Sequence, residues 1–508
     1  MQILYIVGIL FFMVFPSCLY MQSGTDVVAM VMGMIFALPI AYLLSSFRSK
    51  WVRFVCISLL FVILSGELIT LTAYNEFINA SELIGFLSFN SLETNSTIHY
   101  LYRYKSIYYL IALALYICLS VIGWVMKPLQ RTMRGINVSI AMIVVGIICS
   151  FVTHKPYMPY NIIRESVYAM RIEMMHVSSK QTLRNNVCVQ LSHRSKELYV
   201  LAIGESVRYD HLSIEPNDYE RETMPQLSKM NPCLYSDCYS TGTFTQQSVP
   251  MILTPAKADC FVDAYRLPTL SDIFHSAGFT TYIISHCGQV MNTRICKHLA
   301  SGADSIIFVS SDREVLTTFE HIAEKEENAF VILHFLGNHF LYSNYPRVYN
   351  RWQPNYTYHF NQASDSLFIN AYDNSLLYTD SLLAASISCL KDRISAWVFL
   401  SDHGEYIDSH TGGHGFSYHP CKAEYHIPLM VWHSDEYKEA YPDKVANLIK
   451  HKDEPVCADN AFWSVLDMAD IRIDSTLQQE GMSIFGDTLL PHQRALLLPD
   501  GRSVMMLD

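Results

Sequence analysis

The chain has 508 residues, 51% of them hydrophobic and only 16% charged, with a formal net charge of −11. Charged content this low falls below that of ordinary soluble proteins, and the length allows two or three domains. Residues 1–153 carry 8 Lys/Arg against 5 Asp/Glu, so the acidic excess belongs to the remainder, which argues against nucleic acid as a partner.

Five long apolar segments open the chain, at about 3–21, 27–46, 52–73, 107–126 and 137–153. Each approaches or reaches the ~20 residues that span a bilayer. The first has no Lys or Arg at its front and four more follow, so it reads as a membrane helix rather than a signal peptide. Arg48, Lys50 and Arg53 join the second span to the third, and Lys127, Arg131 and Arg134 join the fourth to the fifth. The positive-inside rule puts both connections, and the amino terminus, in the cytoplasm. Everything after about residue 153 is then expected outside. Nine of the 13 cysteines lie there, which is compatible with an oxidising compartment, and the odd count leaves at least one thiol unpaired.

The connection 74–106 is too long for a turn, and its Phe77, Leu83, Ile84, Phe86, Leu87 and Phe89 suit either a short interfacial helix or a packed loop. Residues 154–195 form a juxtamembrane linker. Within it, Ile162, Ile163, Val167, Met170, Ile172 and Met175 have the spacing of an amphipathic helix, lying on the membrane or packed on the domain that follows.

From about 196 to 508, apolar strand-like runs alternate with helical patterns, which predicts an α/β domain around a mostly parallel sheet. Three runs end alike. Leu198–Ile203 is followed by Gly204-Glu205-Ser206, Phe330–Phe335 by Gly337-Asn338-His339, and Trp397–Leu400 by Ser401-Asp402-His403. Ligands bind outside the carboxyl ends of parallel strands. If the three strands are neighbours, Glu205, His339, Asp402 and His403 converge with the mixed oxygen and imidazole donors of a metal site. A nucleophile is expected in Ser240–Pro250, where Ser240, Thr241, Thr243, Thr245 and Ser248 offer hydroxyls that composition alone does not rank.

Together these stretches resemble the phosphoethanolamine transferases of Gram-negative inner membranes, in the alkaline phosphatase/sulfatase superfamily. The resemblance rests on Gly204–Asp210 with Tyr219–Thr223, Gly242–Pro250, Gly337–His339, Asn370–Ser375 and Ser401–Glu405, in order and spacing. It implies an amino-terminal five-helix transmembrane domain followed by a periplasmic metal-dependent catalytic domain. It implies Thr245 as nucleophile, and Glu205, Thr245, Asp402 and His403 as ligands of Zn²⁺. His339 and His414 would stand near the substrate phosphate, assisting proton transfer or holding a second metal. The implied donor is phosphatidylethanolamine from the bilayer, and the implied acceptor is lipid A or the lipopolysaccharide core. Within 74–106 the family pattern is met only at Asn75 and Glu82, which makes Glu82 a candidate lipid contact.

The chain departs from the family where cysteines bracket the nucleophile segment, since Thr241 and Met251 occupy those positions. The resemblance leaves Cys287 and Cys296 as the favoured disulfide, with Cys233, Cys238 and Cys260 paired otherwise or free. The sulfatase signature Cys/Ser-x-Pro-x-Arg is absent, which argues against a formylglycine sulfatase. The competing expectations are a phosphoglycerol transferase of the lipoteichoic-acid-synthase type and a non-catalytic membrane sensor or scaffold.

Overall fold

The computed structural model describes the chain except for residues 21–23, 75–76, 79, 81–82, 84–105, 131, 154–156, 179–189, 192–195, 287–301, 340–341, 343–344, 356–364, 408–412, 416–420, 474–478, 492, 499–501 and 506–508. Glu82, Cys287 and Cys296 lie outside the described residues. The chain divides into two compact units, Met1–Arg171 and Ile172–Asp508.

The first unit is built on five apolar helices: α1 (Gln2–Tyr20), α2 (Gly24–Ser46), α3 (Lys50–Tyr74), α4 (Ser106–Val125) and α5 (Met133–Thr153). All five are long and apolar enough to cross a membrane. A helix suits that setting because it satisfies its own backbone groups. At one end of α4, Arg53 donates to the carbonyls of Gly123 and Met126, at 2.6 and 3.3 Å, which supplies partners that the helix terminus lacks.

A sixth helix, α6 (Asn161–Ser178), begins where the sequence predicts an amphipathic segment. Its first turn belongs to a buried polar cluster. Asn161 donates to Glu67 Oε1 at 3.0 Å, Arg164 donates to Glu165, and the two carboxylates accept the amides of Ile78 and Ala80 at 2.9 and 3.0 Å. Each buried charge therefore has partners, as burial requires.

The second unit is organised by an eight-stranded sheet. Its strands are β1 (Glu197–Gly204), β2 (Cys233–Tyr239), β3 (Thr280–Ser285), β4 (Ser305–Phe308), β5 (Ala329–His334), β6 (Ile394–Ser401), β7 (His426–His433) and β8 (Val456–Cys457). The spatial order is β4-β3-β5-β1-β6-β7-β2-β8, and every pairing is parallel except the two made by β7. The three runs singled out in the sequence are the central strands: β1 lies between β5 and β6, parallel to both.

Register carries this to the functional end, since Ile203 pairs with both His334 and Leu400, and Gly204 pairs with Ser401. All three strands are buried along nearly their whole length, the pattern of a parallel sheet covered on both faces. Tyr199, Leu201, Ile203, Ile332 and Val398 pack with Phe274 and Ile283 in the main core.

Among the described residues every cysteine is a free thiol, including Cys233, Cys238 and Cys260.

Candidate metal and nucleophile site

The site forms where β1 and β6 stop. Glu205 follows β1, and Asp402 and His403 follow the middle of the sheet at the same level; all three are fully buried. Asp402 is fixed by its own backbone and by the β1 turn. Its amide donates to Gly204 O at 3.0 Å, and its Oδ1 accepts the amides of His403 and Ser206 at 2.7 and 3.1 Å. Ser206 adopts φ +61°, the left-handed region, which lets the chain turn so tightly that Glu205 faces Asp402. Gly404 is required by space, because a Cβ there would lie 2.0 Å from the carbonyl oxygen of Ala423.

His403 Nδ1 donates to Gly404 O at 2.7 Å. That bond leaves Nε2 facing the carboxylates, 3.1 Å from Glu205 Oε1 and 3.3 Å from Asp402 Oδ2. These are charge contacts without hydrogen-bond alignment: Asp402 Oδ2 and His403 Nε2 are both buried with no hydrogen-bond partner. Orphaned buried donors and acceptors are costly, and their meeting at one point suits a cation.

The charge balance agrees. Burial opposes ionisation of Glu205, but the adjacent His403 ring, with His339 and His414 beyond it, holds its carboxyl well below the usual range. Burial, followed by the Glu205 charge, pushes Asp402 up to about 7. Burial alone would neutralise His403, yet Asp402 and Glu205 push it up to about 10. A single positive charge between two carboxylates is thus the arrangement the site prefers.

His414 joins this centre. Its ring centroid lies 4.1 Å from that of His403, and ligand atoms of Glu205, His403 and His414 all fall within 4.8 Å of one another. His414 Nδ1 donates to Glu405 Oε2 at 2.6 Å, which turns Nε2 into the acceptor. Glu405 also accepts the Tyr342 hydroxyl. His339 stands further out, its ring centroid 6.5 Å from that of His414. The donor set of carboxylate oxygens and imidazole nitrogens fits Zn²⁺.

The five hydroxyls now separate. Thr245 is the first residue of α7 (Thr245–Leu253), and its Oγ1 donates to Glu205 Oε2 at 2.9 Å. Ser240 donates to Gly242 O at 2.7 Å and to the carbonyl of Asp402, and Ser248 donates to Phe244 O at 3.2 Å. The Thr241 and Thr243 hydroxyls are buried without partners. Thr245 alone among the five donates to a carboxylate of this centre.

Several contributors were not singled out in the sequence. Glu405 stands in the Asp-His-Gly-Glu run but acquires its role only by meeting His414 and Tyr342. Tyr372, in the Asn370–Ser375 motif, lies on α8 (Asp365–Ser388). Its hydroxyl donates to Ser206 O at 2.7 Å and accepts from Arg208 N at 2.8 Å, spanning the turn that aims Glu205. The neighbouring Asp373 is fully buried and bonds His211, Tyr219 and Arg221 at 2.7, 2.8 and 2.8 Å. Both residues bind the motif to Gly204–Asp210 and Tyr219–Thr223, stretches far away in sequence.

A model of the family described as Sulfatase matches residues 197–471. The phosphoethanolamine transferase EptA of Salmonella typhimurium is 25% identical over 303 residues, 54% of this chain and 54% of that protein. The chain thus matches about half the length of that curated relative. The integral membrane lipooligosaccharide phosphoethanolamine transferase A from Neisseria meningitidis shares the fold with a TM-score of 0.75 at 18% identity, over 94% of this chain and 97% of that one. The periplasmic domain of EptC from Escherichia coli, in complex with Zn, superposes with a TM-score of 0.56 at 22% identity, over 63% of this chain and 94% of that one.

Proposed function

The chain belongs to the sulfatase family, and from that premise we propose that it is a zinc-dependent phosphoethanolamine transferase of the bacterial inner membrane, with its second unit in the periplasm. The donor is phosphatidylethanolamine and the acceptor is lipid A or the lipopolysaccharide core. The observation that carries this reading is the Thr245 hydroxyl, at a helix start and 2.9 Å from Glu205 Oε2, where Glu205 clusters with His403 and His414.

Glu205, Asp402, His403 and the Thr245 oxygen would hold the metal, with His414 at its margin. When bound, Zn²⁺ lowers the pKa of a coordinated hydroxyl and polarises a phosphoryl oxygen. The residues account for the remaining steps. The Thr245 hydroxyl already points its proton at Glu205. Its oxygen attacks the donor phosphorus, the bond from phosphorus to the glycerol oxygen breaks, and diacylglycerol leaves with a proton supplied by His339, while the acceptor Nε2 of His414 is free to take a proton. The positive end of α7 favours the phosphate charge at Thr245. In the second half, an acceptor oxygen attacks the phosphothreonine and gives its proton to His339, which restores the proton lost in the first half; the bond to Thr245 breaks, and the threonine oxygen takes back the proton it first directed to Glu205. Glu405 fixes the His414 tautomer throughout, as a carboxylate behind a histidine does.

The test is mass spectrometry of envelope lipids and glycans from cells expressing wild type or Thr245→Ala, with donors labelled separately as phosphatidylethanolamine and phosphatidylglycerol. A phosphoethanolamine increment in wild type alone supports the proposal, and the fragment bearing it identifies the acceptor. Label arriving only from phosphatidylglycerol would replace the donor. An equal increment in both strains would remove Thr245 from its role.

A further inference from the structure

The membrane unit has a feature that this reaction does not use. α3 begins and α4 ends on the same side of the bundle, and there Trp51, Phe54, Ser120, Val121, Trp124 and Val125 line an open groove of about 390 Å³. The Trp51 and Trp124 rings meet edge to face at 4.8 Å, and Phe54 stands 6.5 Å from Trp124. Trp51 is 63% exposed and Val125 62%. Exposed apolar surface of this kind is stable only if something apolar covers it. On helices of membrane-spanning length, the covering is lipid.

Charge specifies which lipid. Lys50 Nζ stands 4.4 Å above the Trp124 ring centroid. Residues 27–66 and 94–164 contain no Asp or Glu, whereas Arg48, Lys50, Arg53, Lys127 and Arg134 belong to this end of the bundle. Arg53 is occupied by backbone carbonyls; Lys50 has no carboxylate nearby in sequence to neutralise it.

We propose that this groove is a binding site for an anionic membrane phospholipid. One acyl chain lies against Trp51, Phe54, Val121 and Val125, and the phosphate pairs with Lys50. Basic pockets between membrane helices take anionic head groups in this way, while aromatic rings settle at the interface. The site is separate from the transfer reaction, so it stands or falls independently of it.

Trp51 and Trp124 are two of the six tryptophans of the chain and the two within residues 1–171, so the quenching that is lost when both are changed to Phe reports on the groove. The full chain is reconstituted in phosphatidylcholine vesicles containing a minor fraction of either brominated phosphatidylglycerol or brominated phosphatidylcholine. Selective binding makes the brominated phosphatidylglycerol the stronger quencher, with roughly fivefold enrichment at the groove, the effect of one lysine beside anionic lipid. Lys50→Gln should abolish the difference and Lys50→Arg should keep it. Equal quenching by the two lipids in the wild type, or a difference that persists in Lys50→Gln, would overturn the site.

Discussion

Tyr372 illustrates how much a single hydroxyl can set. By joining Ser206 O and Arg208 N it closes the turn whose left-handed residue aims Glu205. Tyr372→Phe removes both bonds and keeps the ring, including its edge contact with Tyr342 at 5.4 Å. Loss of such outer support typically costs 10- to 100-fold in metal affinity. A chelator-competition titration should show a drop of about that size, while the variant's circular dichroism stays that of the wild type. Metal affinity should also depend on pH in two steps. Before metal binds, burial and the Glu205 charge push Asp402 up to about 7, and Asp402 and Glu205, against the effect of burial, push His403 up to about 10. Ligands must shed protons to bind. One proton is therefore released between pH 7 and 10, and two below 7. Zinc affinity should fall about tenfold for each unit the pH is lowered from 10 to 7 and about a hundredfold for each unit below 7, measurable by the same titration.

At the scale of elements, both β1 and α8 support the site: β1 leads directly into Glu205, and α8 braces the turn that follows it. Leu201 is a fully buried residue of the central strand, and Leu201→Ala should destabilise the second unit by about 2–5 kcal/mol in denaturant unfolding. Asp380, on α8, accepts the amides of Gln226 and Leu227 and so fixes a helical turn at Leu227–Met230. Burial pushes Asp380 up to about 7. The folded state then holds a proton that the unfolded chain releases near pH 4, so this group's contribution weakens as pH rises from about 4 to 7 and is flat above. Asp380→Asn should remove that slope from the pH dependence of stability. The central strands were legible because each is a continuous apolar run with a polar ending. β2 and β4 were not: Cys233–Tyr239 alternates poorly, and Ser305–Phe308 is only four residues long. Glu205, Asp402, His403 and Thr245 were legible from motif and resemblance. Glu405, Tyr372 and Asp373 acquire partners only through folding, over separations such as the 166 residues between Ser206 and Tyr372, which no local pattern records.

At the scale of the molecule, the sequence divides into a stretch with few charges and an acidic one, and the structure divides near the same place. The basic connections predict that the second unit is exported. An alkaline phosphatase reporter joined after Lys196 should be active, and a fluorescent protein joined before Met1 should glow in the cytoplasm; the reverse pair would invert the topology.

The position of β1 also bears on biogenesis. It is the first strand of the large sheet to be made, yet its two neighbours are β5 and β6, which follow much later in the chain. Long-range parallel pairing is slow, and an unpaired apolar strand invites aggregation. If the second unit is exported as proposed, β1 crosses the membrane during synthesis with both edges open and waits until Ser401 has emerged. The Glu205 arm of the site is translated first but is shaped last, and a chaperone that shields this one strand would govern how much folded protein the cell recovers.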